Sequence, residues 1–354
     1  MSLQKMFDVR GKSVIVTGAA SGIGRAYAEV MSENGARVCL LDLDRKGLDK
    51  TVSELKAAGG DAWGLTVDVT DRAAMSAAFA EVVSRHGRLD VVFANAGIDA
   101  GPGFLDPLGQ RNAEGQIDNL DDHHWDKVIA TNLTSVFNTI KLAAREMKQT
   151  GGGRIIATSS IAASYNEPIV GTPYMPAKAG VSHLARQAAM ELGRYNILVN
   201  TIAPGPFITN IAGGRMANPE DRKAFTDWSV LGRVAETSDI KGVALLLASP
   251  ASSYMTGSEI VIDGGVLLRP MKEAVMSTRI RRRSDRVNSN INMEETRDQS
   301  SFLEFQLAIH PAYRPEGRGR RRGNRCHAMG RKCTGEHHQD RLCQSDDRPT
   351  RPIR

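Results

Sequence analysis

Tyr174 and Lys178 stand four residues apart in the run Tyr174-Met175-Pro176-Ala177-Lys178. Residues i and i+4 of a helix share a face, so a helical run would place the phenol beside the ammonium. A neighbouring cation favours phenolate over phenol. The spacing therefore predicts a tyrosine whose pKa falls from about 10 toward neutral pH, which makes a usable general base. The same spacing also arises as an ordinary exposed helix pair, so the surrounding pattern must give it meaning. Pro176 restricts its placement, because a proline breaks a helix interior but costs little in the first turn. Tyr174 is expected at the opening turn of its helix.

Far upstream, the β-branched run Ser13–Val16 leads into Thr17-Gly18-Ala19-Ala20-Ser21-Gly22-Ile23-Gly24 and a helical stretch that stops at Asn34-Gly35. A glycine-rich strand-to-helix turn can bring backbone N–H groups up to a pyrophosphate at the helix N-terminus, where side chains would block the approach. Asp42 ends the second apolar run, Arg37–Leu41. A carboxylate at that position can accept both ribose hydroxyls of an adenosine and would repel a 2′-phosphate.

The elements needed to position these groups follow a regular alternation. Strands are expected at Ala62–Val67, Leu89–Ala94, Arg154–Thr158, Ile197–Ile202 and Glu259–Ile262, and helices at Asp71–His86, Asp121–Lys148, Tyr174–Gly193 and Ser238–Ala248. With the two strands already named, seven strands read as unbroken apolar runs separated by helices. That pattern argues for an α/β, doubly wound fold whose parallel sheet is covered on both faces. Two stretches interrupt it. Residues 99–119 are rich in Gly, Pro and Asn, and they follow the carboxyl end of the fourth strand, the edge where open α/β sheets bind ligands. This stretch is read either as a border of the substrate pocket or as a surface insertion without a role. Residues 205–236, with Phe207, Met216, Phe225 and Trp228, suit a lid over a small organic substrate, or a subunit contact.

The turn is spaced T-G-x-x-x-G-I-G rather than G-x-G-x-x-G. Asn95-Ala96-Gly97 ends the fourth strand, Thr158-Ser159-Ser160 ends the fifth, and Pro204-Gly205-Pro206-Phe207-Ile208-Thr209 follows the sixth. In this order the motifs resemble the short-chain dehydrogenase/reductase family across residues 12–265. The resemblance implies a Rossmann-type fold and an oxidoreductase that transfers a hydride between NAD(H) and a secondary alcohol or ketone. It implies Tyr174 as acid/base, Lys178 lowering its pKa and holding the nicotinamide ribose, Ser160 as hydrogen-bond donor to the substrate oxygen, and Asn132 holding a water between Lys178 and solvent. Ser160 is chosen over Ser159 because neighbours on a strand point to opposite faces and the family uses the second serine.

For the cofactor, the resemblance places Gly18, Ser21, Gly22, Ile23 and Gly24 at the phosphates, Asp42 at the adenosine ribose and Asp68-Val69 at the adenine. Asn95, Ala96 and Gly97 match the family's turn after the fourth strand. Pro204, Gly205 and Phe207 approach the nicotinamide carboxamide, and Thr209 reaches the phosphates. Position 21 is Ser where phosphate-selective relatives often carry Arg or Lys, which favours NAD over NADP, with Arg45 the nearest complicating cation. A homodimer or homotetramer is expected from the same resemblance. Two departures stand out. Pro176-Ala177 replace residues that usually end in Ser, and the interval from Ser160 to Tyr174 is slightly longer than in typical relatives, which points to an altered pocket wall around Tyr165–Ile169.

Bulk properties agree with one catalytic body, residues 1–270, and an appendage, residues 271–354. The latter holds 19 Lys+Arg and 11 Asp+Glu, the former 27 and 29, so the basic character of the 354-residue chain belongs to its tail. The tail lacks apolar periodicity and is expected to be disordered, an aberrant extension, or a basic contact for nucleic acid, the last being disfavoured. An NAD-binding sensor or nucleic-acid-associated protein acting through that tail is the rival to an enzyme. Cys326, Cys333, Cys343, His337 and His338 lack a C-x-x-C knuckle, so no metal is expected. Lone Cys39 in the body, the absence of a signal-peptide pattern and the lack of a long apolar run point to a cytoplasmic protein without membrane segments.

Overall fold

In the computed structural model the described residues are 2–106, 109–209 and 219–268. They belong to the first of the chain's two units, Met1–Asn290, the second being Ile291–Arg354. A short helix, α1 (Leu3–Met6), precedes β1 (Ser13–Thr17), α2 (Gly22–Glu33), β2 (Arg37–Asp42), α3 (Arg45–Ala57), β3 (Asp61–Thr66), α4 (Arg72–His86) and β4 (Val91–Ala94). Then come α5 (Asp122–Ile129), a π-helical turn (Ala130–Thr134), α6 (Ser135–Gln149), β5 (Gly153–Thr158) and α7 (Tyr174–Leu192). The last elements are β6 (Ile197–Pro204), α8 (Pro219–Trp228), α9 (Lys241–Ala248) and β7 (Glu259–Ile262).

All seven strands are parallel, in the order β3-β2-β1-β4-β5-β6-β7. The expected doubly wound Rossmann-type sheet is present. The chain winds outward from β1 to β3, then returns to lay β4 on the other side of β1. This leaves a crevice at the carboxyl ends of β1 and β4, the topological switch point.

Strand alternation divides the core between the two faces of the sheet. Ile15, Cys39, Leu41 and Val92 pack against Phe79 of α4, Met147 of α6 and Val181 of α7. Val14, Val16, Leu40 and Phe93 face α2, α3 and α9, where the rings of Tyr27 and Phe93 stack at 4.5 Å. Local chemistry sets the helix ends. Asp71 caps α4 by accepting from the N–H groups of Ala73 and Ala74, and Gly87 closes it at φ +75°.

Two of the expected stretches differ in the structure. The helix expected over Asp121–Lys148 is interrupted by the π-helical turn that carries Asn132. The stretch 205–236, read as a loop, contains α8. Its two ends are joined, because Phe207 bridges Ala235, and Phe207 itself is buried in the core. Met216 lies outside the described residues, as does the Arg-rich tail with its cysteines and histidines.

Candidate active site

The glycine turn closes under β1. Gly18 and Gly22 have φ of +67° and +57°, a region that favours glycine. A Cβ on Gly18 would lie 2.8 Å from the Cα of Ala96, and one on Gly24 would overlap the carbonyl of Gly18, so neither position admits a side chain. Ser21 precedes the first turn of α2 without capping it, and that turn carries no acidic side chain. Its backbone N–H groups are left for an anion. Ile23 is part of the same turn. Thr209 sits beside it, its Cγ2 3.4 Å from where a Cβ of Gly22 would be.

Asn95 ties the crevice together. Its Nδ2 donates to the carbonyls of Thr17 and Gly18 at 3.1 and 3.3 Å, and its Oδ1 accepts from the Thr158 hydroxyl at 3.0 Å. The N–H groups of Asn95 and Ala96 both donate to the Thr17 hydroxyl at 3.0 Å. One side chain thereby joins β1, β4 and β5.

Asp42 ends β2 at the rim of this turn. Its carboxylate accepts from the N–H of Ala20 at 2.8 Å and of Asp44 at 2.9 Å, which aims it without neutralising it. Arg45 does not reach it and pairs instead with Asp49. Asp68 and Val69 follow β3 at the same edge, with Asp68 turned onto the N–H and hydroxyl of Thr70. Pro204 ends β6, and a Cβ on the next residue, Gly205, would lie 2.7 Å from the Cα of Asp263.

The Tyr-Lys pair behaves as expected in placement and otherwise in charge. Tyr174 is the first residue of α7, as Pro176 requires. The Lys178 ammonium is 5.6 Å from the centre of the Tyr174 ring, but it donates to the Thr158 carbonyl at 2.9 Å rather than to the phenol. Burial raises the Tyr174 phenol to about 12. A hydrogen bond from Ser160 opposes the rise, and the carboxylates of Glu167 and Asp99 add to it. The expected fall is therefore corrected to a rise, because removing the phenolate from water outweighs the groups that favour it. Burial also lowers Lys178, to about 8.

The two adjacent serines part ways. Ser160 lies two residues beyond the end of β5, where it accepts from the N–H of Ala162 and reaches the Tyr174 phenol. The Ser159 hydroxyl turns the other way, donating to the Lys178 carbonyl at 3.3 Å and lying 2.6 Å from the Ser182 hydroxyl, which bonds to Glu259. Asn132 is fully buried. Its Oδ1 accepts from the N–H of Ile98 at 2.8 Å and its Nδ2 donates to the Ile98 carbonyl at 2.9 Å, as a neighbouring strand would. A Cβ on Gly97 would lie 3.2 Å from that Oδ1 and 3.8 Å from the Lys178 Nζ. Asn132, Ser160, Tyr174 and Lys178 thus converge at the carboxyl edge beside Gly97.

Two side chains of this site escaped the reading of the sequence, Asp99 and Glu167. Both fall in stretches marked as unusual, the start of 99–119 and the long Ser160–Tyr174 interval, but neither belongs to a motif. The two stretches form one wall. Pro102 bridges Val170, the N–H groups of Gly103 and Leu105 donate to the carbonyls of Ile169 and Pro168, and that of Gly171 donates to Gly101.

A parallel sheet with an anion-binding turn at its switch point and a Tyr-Lys-Ser group alongside defines a dinucleotide-dependent oxidoreductase site. Comparison with known proteins agrees. Residues 18–267 match the family model described as enoyl-(acyl carrier protein) reductase. The chain is 36% identical over 262 residues to L-rhamnose 1-dehydrogenase (NAD(P)(+)) of Azotobacter vinelandii, covering 73% of this chain and 97% of that protein. A short-chain type dehydrogenase/reductase from Mycobacterium marinum superposes with TM-score 0.69 at 32% identity, over 76% of this chain and 100% of that one. A 7α-hydroxysteroid dehydrogenase complexed with NADH and 7-oxoglycochenodeoxycholic acid superposes with TM-score 0.66 at 31% identity, over 75% and 98%. The chain belongs to the short-chain dehydrogenase/reductase family and is an oxidoreductase.

Proposed function

We propose that the protein interconverts a secondary alcohol and a ketone with NAD(H), using Tyr174 as the proton-transferring group. The observation that carries this reading is the meeting of the Ser160 hydroxyl with the Tyr174 phenol, beside a buried Lys178. The residues fit the cofactor. The side-chain-free cradle at Gly18 and Gly24 suits a pyrophosphate at the start of α2, and the uncompensated carboxylate of Asp42 suits a ribose diol and disfavours a 2′-phosphate. Bound NAD(H) would supply the hydride acceptor or donor.

The chain itself handles the proton. As a ketone is reduced its oxygen gains negative charge, which a hydrogen bond from Ser160 stabilises while the Tyr174 phenol donates its proton. A phenol near 12 holds that proton across the neutral range, ready to donate it as a ketone is reduced. Lys178 stays mostly charged at neutral pH and sits where it can hold a ribose hydroxyl near the phenol. Asn132, locked onto Ile98, fixes the backbone around that ammonium.

A coupled screen of ketones tests the proposal directly. Oxidation of NADH in preference to NADPH is the expected result. Binding of cofactor without turnover on any ketone or alcohol would leave the protein as a dinucleotide-binding module. Among the described residues no helix is long and apolar enough to cross a membrane.

A further inference from the structure

Resting on that function, we propose that Glu167 and Asp99 form a carboxylate rim beside Tyr174 that selects a neutral, polyhydroxylated substrate, one bearing a hydroxyl next to the reacting carbinol, and rejects anionic ones. The two residues are far apart in sequence and are brought together by the paired wall. Asp99 directly follows Ile98, which Asn132 grips, and Gly97, which borders Lys178. Glu167 opens the other side of the wall, which runs through the contacts at Pro168 and Ile169 to Gly171, whose carbonyl accepts from the Tyr174 N–H at 3.1 Å. The charges of both carboxylates are felt at the Tyr174 phenol, which they raise. The Tyr165 phenol also feels Glu167.

Neither side chain has a hydrogen-bond or ion-pair partner among the described residues. The nearby ammonium of Lys178 donates to the Thr158 carbonyl and, among the described residues, pairs with neither carboxylate. By contrast the other carboxylates of the crevice, Asp42 and Asp68, are held by backbone N–H groups. A carboxylate left unpartnered against a reacting centre has its acceptor oxygens available to a ligand. A substrate hydroxyl can donate to it in a charge-assisted hydrogen bond, whereas a substrate carboxylate meets repulsion and an unmade bond. Burial raises Glu167 to about 7, so near neutral pH the group can both donate and accept, as a hydroxyl partner requires.

The test is NAD-linked oxidation by the full chain of three matched alcohols: cis-cyclohexane-1,2-diol, cyclohexanol and 2-hydroxycyclohexanecarboxylate. The expected kcat/KM for the diol exceeds that for cyclohexanol by about tenfold or more, and the hydroxy acid falls below cyclohexanol by a similar factor. Glu167→Gln and Asp99→Asn, which keep shape and remove charge, should each raise the ratio of hydroxy acid to cyclohexanol by about tenfold. A hydroxy acid turned over as well as the diol would overturn the rim, as would ratios that do not move in either variant, while the dehydrogenase reading would stand. A chain that oxidises none of the three yet turns over another alcohol or ketone in the coupled screen overturns the rim alone, and only cofactor binding without turnover on any ketone or alcohol takes the dehydrogenase reading with it.

Discussion

The two ends of the sheet treat acidic side chains in opposite ways. At the amino end Asp90, immediately before β4, is 5% exposed and fully satisfied. Its Oδ1 receives Arg88 at 2.6 Å and Lys12 at 3.3 Å, and its Oδ2 accepts from the N–H of Ser13 at 2.9 Å. At the carboxyl end Asp99 and Glu167 flank Tyr174 without a countercharge, and Asp42 is oriented by two N–H groups but left with its charge. A paired, buried carboxylate reports on folding. An unpaired one at the switch point reports on what the fold is built to receive.

Substitutions at the two ends should therefore separate chemistry from stability. The largest effect belongs to Tyr174→Phe, which removes only the phenolic oxygen and should lower kcat by about a thousandfold while NADH still quenches protein fluorescence. Retained turnover would sink the assignment of the proton donor. At the opposite end, Asp90→Ala strands two cations and the Ser13 N–H, and should destabilise the fold by about 2–4 kcal/mol in urea titrations. Preference between NADH and NADPH should not change in that variant. A changed preference would show that the ends are not independent.

Lys178 tests the boundary between the two categories, since it is both buried and part of the site. Its folded pKa, about 8, lies below the ordinary 10.5, so the folded state binds this proton less tightly than the unfolded chain does. The resulting destabilisation is fully present below pH 8 and disappears as pH rises through 10.5. Lys178→Met should therefore gain stability relative to the wild type at pH 7 compared with pH 10, by on the order of 2–3 kcal/mol. A difference between the two proteins that does not vary with pH would mean the ammonium is solvated. The smallest effect is expected for Asp42→Asn. Loss of its charge should cut the NADH-to-NADPH preference in kcat/KM by about tenfold, with little change in melting temperature.

Much of this was legible along the chain. The glycines at 18, 22 and 24, the Asp42 position and the Tyr174 helix start follow from local rules about backbone space, strand ends and proline, and all seven strands lie within two residues of their expected limits. The π-helical turn at Asn132 was not legible, because an amphipathic pattern over 122–149 fits a plain helix equally well. The burial of Phe207 was not legible, because it depends on Ala235, on the far side of an irregular stretch. Asp99 and Glu167 belong to no motif, and only the pairing of 101–105 with 168–171 makes them neighbours of one phenol.

The sequence by itself determined the order of strands and helices, the turn that excludes side chains and the set of groups available for proton transfer, since these depend on spacing and on the steric limits of Gly and Pro. The tertiary structure alone decided which serine meets Tyr174, where the Lys178 proton points and whether the phenol's pKa falls or rises. Those depend on burial and on distances between charges through space, and residues that share a field need not share a segment of chain.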